Sequence, residues 1–212
     1  MRDYQKETID TYTKQATAFQ KTRAAFFEKD KIEKFLSLLP GKRVLDIGCG
    51  PGRDAAEFVK RGYDVTGIDI TENFITLAKE TVPEGTFFTM DMLDLTFDDN
   101  TFEGVWASAV LLHLKREDIP EALKQIYRVL VPGGICRFSV KKGTIEGMEA
   151  DVRLGNAKRF FTYFEEDEMK TFALDSGFII EEIKTEADGM GRNIEWIDAF
   201  VKKPADETDS NK

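Results

Sequence analysis

The stretch that decides the fold is RVLDIGCGPG, residues 43–52. Its apolar first half predicts a buried β-strand, and its second half places Gly48, Gly50 and Gly52 before a predicted helix. Glycine lets the backbone approach a ligand closely because it carries no Cβ. Asp46, two residues before the first glycine, would repel a pyrophosphate but suits a ligand that carries an ammonium and a sulfonium. The stretch therefore favours S-adenosylmethionine over a dinucleotide.

The position after this loop also bears on the dinucleotide alternative. Arg53 stands where the dinucleotide fingerprint G-x-G-x-x-G has its third glycine. A glycine pair alone does not decide the matter, since tight strand-to-helix turns also use glycine for steric reasons. A nicotinamide-dependent oxidoreductase would share the α/β pattern, but Arg53 and Asp46 both argue against it.

Apolar strands and amphipathic helices alternate along the rest of the chain, which predicts a mostly parallel sheet with helices on both faces. Strands are predicted at 43–48, 64–70, 86–90, 102–107 and 135–140, followed by a closing pair at 178–185 and 194–202. Helices are predicted over 1–39, 54–61, 72–80 and 166–176, and a further helix after a capping box of Asp118 and Glu121. In such sheets the ligand binds at the carboxyl ends of the strands.

Two more acidic residues end successive predicted strands. Asp69 closes the second strand about 20 residues beyond the glycine loop, where a carboxylate accepts hydrogen bonds from both ribose hydroxyls. Asp91 closes the third strand, where it can accept the adenine amino group. Each acid alone is explained as a strand-end cap or a turn residue. Three such acids together with the glycine loop favour a nucleoside-binding site.

From about Tyr12 to Lys202 the chain resembles the class I S-adenosylmethionine-dependent methyltransferase superfamily. The similarity rests on VLDIGCGPG, GIDI, DMLDL, FEGVWASAVLLHL, EALKQIYRVLVPGG and FTYFEEDEMKTFALDSGF. The resemblance implies a Rossmann-like, seven-stranded, mostly parallel sheet with the last strand antiparallel, and an N-terminal helical cap. It also implies a bound S-adenosylmethionine and methyl transfer to a small-molecule acceptor.

The resemblance further assigns cofactor contacts to individual residues. It implies that Asp46, Gly48, Gly50 and Gly52 line the methionine end, that Asp69 and Ile70 hold the ribose, that Asp91 and Met92 hold the adenine, and that Ser108 flanks the cofactor. Tyr12, in an N-terminal Y-x-x-x-A pattern, would approach the methionine end. Packing of the N-terminal helix is an equally good explanation of Tyr12.

Three residues, one histidine and two cysteines, are candidates for other chemistry. His113, the single histidine, follows strand four in LLHL. It could act as a general base near neutral pH, but the resemblance favours a structural role. Cys49 is interpreted as a small loop residue. With Cys136 it forms neither a disulfide framework nor a metal-ligand cluster, so no metal is expected.

The segment 141–163, between strand five and the next helix, is predicted to be irregular and to form the acceptor site with the N-terminal helix. An ordinary surface loop is the equal alternative. The segment carries both charged and aromatic side chains: Glu146, Glu149, Asp151, Arg153, Lys158, Arg159, Phe160, Phe161 and Tyr163. Arg153 or Arg159 is hypothesised to pair with an acceptor carboxylate or phosphate.

Length and charge set the remaining expectations. The 212 residues are divided into a helical cap (1–40), a cofactor-binding domain (41–203) and a disordered tail (204–212). The net charge of −9 disfavours nucleic acid as a partner. A polar N-terminus and the lack of a long apolar run favour a cytoplasmic monomer or homodimer without membrane contact. A tRNA or protein methyltransferase and a non-catalytic S-adenosylmethionine-binding protein would keep the same site.

Overall fold

The computed structural model describes residues 2–23, 28–151, 155–189 and 191–206. The helices of this part are α1 (Asp3–Arg23), α2 (Lys29–Leu38), α3 (Arg53–Lys60), α4 (Glu72–Thr81), α5 (Ile119–Val129) and α6 (Glu166–Asp175). The strands are β1 (Arg43–Ile47), β2 (Asp64–Asp69), β3 (Thr86–Thr89), β4 (Phe102–Ser108), β5 (Leu130–Lys141), β6 (Glu146–Asp151), β7 (Ala157–Thr162), β8 (Ile179–Ala187) and β9 (Glu195–Lys202).

Seven of these strands form one sheet in the order β3-β2-β1-β4-β5-β9-β8. β1 pairs in parallel with β2 on one side and with β4 on the other. β9 runs antiparallel to both of its neighbours, β5 and β8. The predicted seven-stranded, mostly parallel sheet with an antiparallel last strand is therefore confirmed. Because strand order reverses between β1 and β4, a crevice opens at their carboxyl ends.

Alternate residues of the central strands pack on opposite faces of the sheet. Leu45 and Val105 join the core formed with α5 and α6, whereas Val44 and Trp106 join the core formed with α2, α3 and α4. All four side chains are fully buried. Burial on both faces explains why the strands are apolar runs rather than alternating ones. α2 thus shares a core with the sheet, while α1 packs across β7 and α4.

The predicted capping box at the start of α5 is wrong. Asp118 is the N-cap residue, but its side chain makes no capping hydrogen bond. Its carboxylate instead accepts a hydrogen bond of 2.6 Å from the Tyr4 hydroxyl. The Glu121 carboxylate accepts from the side-chain amide of Gln125. A hydrogen bond from Tyr4 of α1 therefore replaces the expected capping hydrogen bond at Asp118.

The segment between β5 and α6 is also more regular than predicted. β6 and β7 pair antiparallel from Glu146↔Thr162 to Asp151↔Ala157, and we call this pair the hairpin. Two threonines of α1 bind the backbone of β7. The Thr8 hydroxyl accepts from the Phe160 N–H at 2.7 Å, and the Thr11 hydroxyl donates to the Lys158 carbonyl at 2.8 Å. α1 therefore covers the edge of β7 that does not pair with β6.

Candidate active site

The carboxyl ends of the parallel strands, the hairpin and α1 enclose a cavity of about 430 Å³. Nine of the ten residues predicted to contact the cofactor line it: Tyr12, Asp46, Gly48, Gly50, Asp69, Ile70, Asp91, Met92 and Ser108. Gly52 is the exception. The structure thus brings these residues together around one space, while the contact assigned to each stays a prediction.

The three glycines of the loop differ in what surrounds them. All have positive φ, of 68° at Gly48, 53° at Gly50 and 86° at Gly52. A Cβ at Gly48 would lie 2.4 Å from a Val110 methyl, and one at Gly52 would lie 3.3 Å from the Ala78 Cα atom. A Cβ at Gly50 would meet nothing within 4 Å. Gly50 is thus the open position, while Gly52 permits the close packing of α3 on α4.

Asp69 braces the glycine loop from the end of β2. One carboxylate oxygen accepts from the Gly50 N–H at 3.1 Å, and the other accepts from the Thr71 N–H at 2.8 Å. Burial raises the pKa of Asp69 to about 6, although these two hydrogen bonds favour the ionised form. A carboxylate has about four acceptor sites, so capacity remains for a ribose hydroxyl.

Asp46, at the end of β1, lies deepest among the acids of the cavity. Its side chain is almost fully buried, and among the described residues its Oδ2 atom has no hydrogen-bond partner. Burial and the negative charge of Asp54 hold the pKa of Asp46 well above its usual value. The positive charge of the neighbouring Arg53 offsets this rise only in part, because its guanidinium donates to Asp54 at 2.7 and 2.8 Å. A buried carboxylate with one unpartnered oxygen beside a cavity suits a cationic ligand group.

The N-terminus of α1 is tied to the side of the cavity predicted to hold adenine. Asp91 accepts a hydrogen bond of 3.0 Å from the Leu93 N–H. The Arg2 guanidinium lies 3.8 Å from the other oxygen of Asp91 and 3.4 Å from Asp118. These contacts bring the start of α1 beside Asp91.

A second set of contacts joins α1 to the turn after β4 and to the hairpin. The Nδ1 atom of His113 lies 2.7 Å from the Phe160 carbonyl oxygen. A carbonyl only accepts, so Nδ1 carries a proton, and the Nε2 atom shares a hydrogen bond of 2.9 Å with the Tyr12 hydroxyl. The Tyr12 oxygen accepts in turn from Arg159 at 2.7 Å. Tyr12 is therefore held between a cation and an imidazole at the cavity wall.

A buried ion-pair network, which sequence reasoning missed, extends from the cavity into the sheet. Arg137 of β5 is fully buried and donates to Asp198 of β9 at 2.7 Å. Glu28 lies 3.3 Å from Arg137, and Lys31 lies 2.6 Å from Asp198. The Ser108 hydroxyl donates to Glu28 at 3.3 Å. The sequence feature that could have indicated this network is a charged residue inside each of two largely apolar strands, Arg137 in β5 and Asp198 in β9.

The hairpin side of the cavity contains further residues that sequence reasoning did not single out. Lys141, Arg192 and Trp196 line the cavity together with Arg159. Arg153, the other arginine proposed to pair with the acceptor, lies outside the described residues. The described ranges contain no group of three or more His, Cys, Asp or Glu side chains suited to hold a metal ion. None of the described helices has both the length and the apolar character needed to cross a lipid bilayer.

Comparison with known proteins finds methyltransferases that are similar to part of this chain. Residues 44–134 match a family model described as a methyltransferase domain. The putative methyltransferase YqeM of Bacillus subtilis is 36% identical over 108 residues, which make up 48% of this chain and 44% of that protein. The chain spans about half the length of the curated relatives it matches.

Solved structures share the fold at low sequence identity. A S-adenosylmethionine-dependent methyltransferase from Methanosarcina mazei superposes with a TM-score of 0.74 at 22% identity, covering 85% of this chain and 99% of that one. The 1,6-didemethyltoxoflavin-N1-methyltransferase of Burkholderia thailandensis superposes with a TM-score of 0.69 at 19% identity, covering 96% and 92%. That structure contains 1,6-didemethyltoxoflavin and S-adenosylhomocysteine.

Proposed function

Because residues 44–134 match a family model described as a methyltransferase domain, we propose that the chain is a class I S-adenosylmethionine-dependent methyltransferase that transfers a methyl group to a small-molecule acceptor. The observation that carries this proposal is the buried, unpartnered oxygen of Asp46 beside the open glycine loop. An ammonium or sulfonium group would neutralise that carboxylate, whereas the phosphates of a dinucleotide would be repelled by it.

The residues around the cavity fit each part of this cofactor. Asp46 and the backbone at Gly48 and Gly50 would hold its amino-acid end, and Asp69 with Ile70 would hold the ribose. Asp91 and Met92 would hold the adenine, with Ser108 and Tyr12 beside the methionine end. A cavity of about 430 Å³ lies within the range of small-molecule sites.

The protein's own contribution is positioning and the exclusion of water. When bound, S-adenosylmethionine supplies an electrophilic methyl group whose leaving sulfide is neutral. α1 and the hairpin cover the cavity, and Tyr12 links them through Arg159 and His113. Aligning an acceptor in such an enclosed space accounts for much of the acceleration of an in-line displacement. A base is required only when the acceptor atom must lose a proton.

A small acceptor agrees with both the enclosed cavity and the negative net charge of the chain. The net charge of −9 opposes a nucleic acid acceptor. The toxoflavin N-methyltransferase shows the same fold around a small heterocycle, although its substrate belongs to that protein alone. A tRNA or protein methyltransferase and a non-catalytic binder are the competing functions. A cytoplasmic monomer or homodimer belongs to the same proposal, with Cys49 and Cys136 both free and buried.

The test is acceptor-dependent release of S-adenosylhomocysteine from the purified full chain with a panel of metabolites. We expect turnover with at least one metabolite and none with bulk tRNA. Asp46→Asn should lose this turnover, because an amide cannot neutralise a cation. Asp64→Asn, an exposed acid at the opposite end of β2, is the matched control and should retain it. Turnover with tRNA alone, or cofactor binding without turnover of any acceptor, would favour a competing function.

A further inference from the structure

We propose that the acceptor carries an anionic oxyacid group, a carboxylate or a phosphate, and that Arg159 and Lys141 bind this group on the hairpin side of the cavity. The inference rests on the proposed function and names the acceptor class for that same site. It starts from the uneven distribution of charge around the cavity. Asp46, Asp69 and Asp91 follow the first three strands, whereas Arg159 belongs to β7 and Lys141 ends β5. The other charged residues of the lining are paired with one another: Arg53 with Asp54, Lys31 with Glu28 and Glu186, and Arg192 with Asp188.

Arg159 has one N–H donor without a hydrogen-bond partner among the described residues. The residue is 4% exposed and lines the cavity. One terminal nitrogen donates to the Tyr12 hydroxyl, and the other pairs with Asp151. The Nε atom is buried and has no hydrogen-bond partner in the described part of the chain. Buried donors are nearly always hydrogen-bonded in folded proteins, so a ligand oxygen is the expected partner.

Lys141 presents a second incompletely bonded cation. The residue is 9% exposed, and its ammonium donates to the Tyr163 hydroxyl at 2.8 Å. Glu149 lies farther away, at 3.5 Å, and its carboxylate also accepts from Tyr163. An ammonium has three donors, so Lys141 retains capacity for a ligand oxygen. Burial lowers the pKa of Lys141 to about 8, which a bound anion would counteract.

Both cations lie close to one aromatic ring, that of Phe161. The Lys141 ammonium is 3.7 Å from the centre of the Phe161 ring, and the Arg159 guanidinium carbon is 4.9 Å from it. Both cations line the cavity, as does Phe161, whereas Glu149 and Asp151 do not. The carboxylates of Glu149 and Asp151 therefore lie outside the cavity lining, whereas the cations that they accompany are part of it. A guanidinium beside an ammonium matches the oxygens of a carboxylate or phosphate.

The experiment measures the binding of simple anions to the full chain saturated with S-adenosylhomocysteine. Acetate and inorganic phosphate are titrated by calorimetry at pH 7 and constant ionic strength, with tetramethylammonium as the cationic comparison. We expect one anion to bind, and its identity separates a carboxylate acceptor from a phosphate acceptor. Arg159→Gln and Lys141→Gln should each weaken that binding at least about tenfold, as expected for a lost charge-assisted hydrogen bond.

Lys158→Gln is the matched control, because Lys158 neighbours Arg159 on β7 but is exposed. It removes the same charge and should change anion affinity less than about twofold. Melting temperatures verify that each variant is folded, and Lys141→Gln tests the site independently if Arg159→Gln is unstable. Binding of tetramethylammonium, absence of anion binding, or equal binding by all variants would overturn the inference and leave the proposed function intact. Failure of S-adenosylhomocysteine to bind would refute both.

Discussion

Asp69 shows how one side chain can both support the loop and line the cavity. Its two oxygens already accept backbone hydrogen bonds from Gly50 and Thr71. We expect Asp69→Ala to weaken S-adenosylhomocysteine binding about 30- to 150-fold, because a charge-assisted contact of about 2 to 3 kcal/mol is lost. Calorimetry measures the affinity. Normal binding together with normal melting would show that Asp69 is not the ribose ligand.

The same residue makes cofactor affinity depend on pH. Burial raises the pKa of Asp69 to about 6, so the carboxylate becomes protonated as the pH falls from 7 to 5. A protonated carboxyl is a poorer acceptor for ribose hydroxyls, and affinity should fall over this range. Asp69→Asn has no charge to lose. A difference in pH dependence between wild type and Asp69→Asn is the expected result, and parallel profiles would contradict it.

His113 is expected to hold Tyr12 in place rather than to take a proton from the acceptor. Both of its ring nitrogens are engaged, one with the Phe160 carbonyl and one with the Tyr12 hydroxyl. We expect His113→Ala to lower kcat/KM by less than the roughly hundredfold typical of a lost general base. Because the two residues act as a pair, His113→Ala combined with Tyr12→Phe should cost little more than either change alone. A larger loss for His113→Ala alone would assign it the base.

The three acids at the strand ends were predictable from the sequence, whereas of the two cations Arg159 was hypothesised and Lys141 was not singled out. Asp46, Asp69 and Asp91 each end a strand, and parallel strands bring their ends together at one edge of the sheet. Lys141 lies at the carboxyl end of β5, whereas Arg159 reaches the cavity because the hairpin packs against α1. No local sequence pattern predicts the contact between the hairpin and α1, since the hydrogen-bonded Thr8 and Phe160 are 152 residues apart.

At the level of elements, β5 and β9 are joined by a buried ion pair as well as by their backbones. Burial alone would raise the pKa of Asp198, but Arg137 and Lys31 hold it below its usual value. We expect Asp198→Asn to lower the free energy of unfolding by about 3 to 5 kcal/mol, because Arg137 then lacks its closest counter-charge. Urea denaturation measures the change.

An exposed pair of the same type serves as the control for this measurement. Lys34 and Glu182 form an ion pair whose side chains are each about one-third exposed. Lys34→Gln should lower the free energy of unfolding by less than about 1 kcal/mol. Similar losses for Lys34→Gln and Asp198→Asn would show that burial does not strengthen the β5–β9 pair. The low pKa of Asp198 also means that its contribution is present at neutral pH and is lost as the pH falls through that pKa.

The two wrong predictions at this level have different causes. Hydrophobic periodicity located the sheet strands because each buries a face against helices. β6 is largely exposed and carries charges, so its sequence lacks that periodicity. The capping box at Asp118 had the right local pattern, but Tyr4, 114 residues away, engages the carboxylate. Local signals fail where a distant segment supplies the hydrogen-bond partner.

For the whole molecule, a strongly acidic chain encloses a cavity that has Asp46, Asp69 and Asp91 at the strand ends and the incompletely bonded cations Lys141 and Arg159 on the hairpin side. α1 spans both sides, since Arg2 approaches Asp91 while Tyr12 meets His113 and Arg159. This arrangement favours a cofactor with a positive methionine end and an acceptor held opposite it. The central claim is that the cavity selects S-adenosylmethionine and its product over a dinucleotide.

Calorimetric titration of the full chain with S-adenosylhomocysteine and, separately, with NAD tests this claim most directly. S-adenosylhomocysteine retains the ammonium, ribose and adenine that Asp46, Asp69 and Asp91 are proposed to bind. We expect it to bind at a single site, and NAD to bind far more weakly because its pyrophosphate would lie near Asp46. Tighter binding of NAD than of S-adenosylhomocysteine would contradict the account.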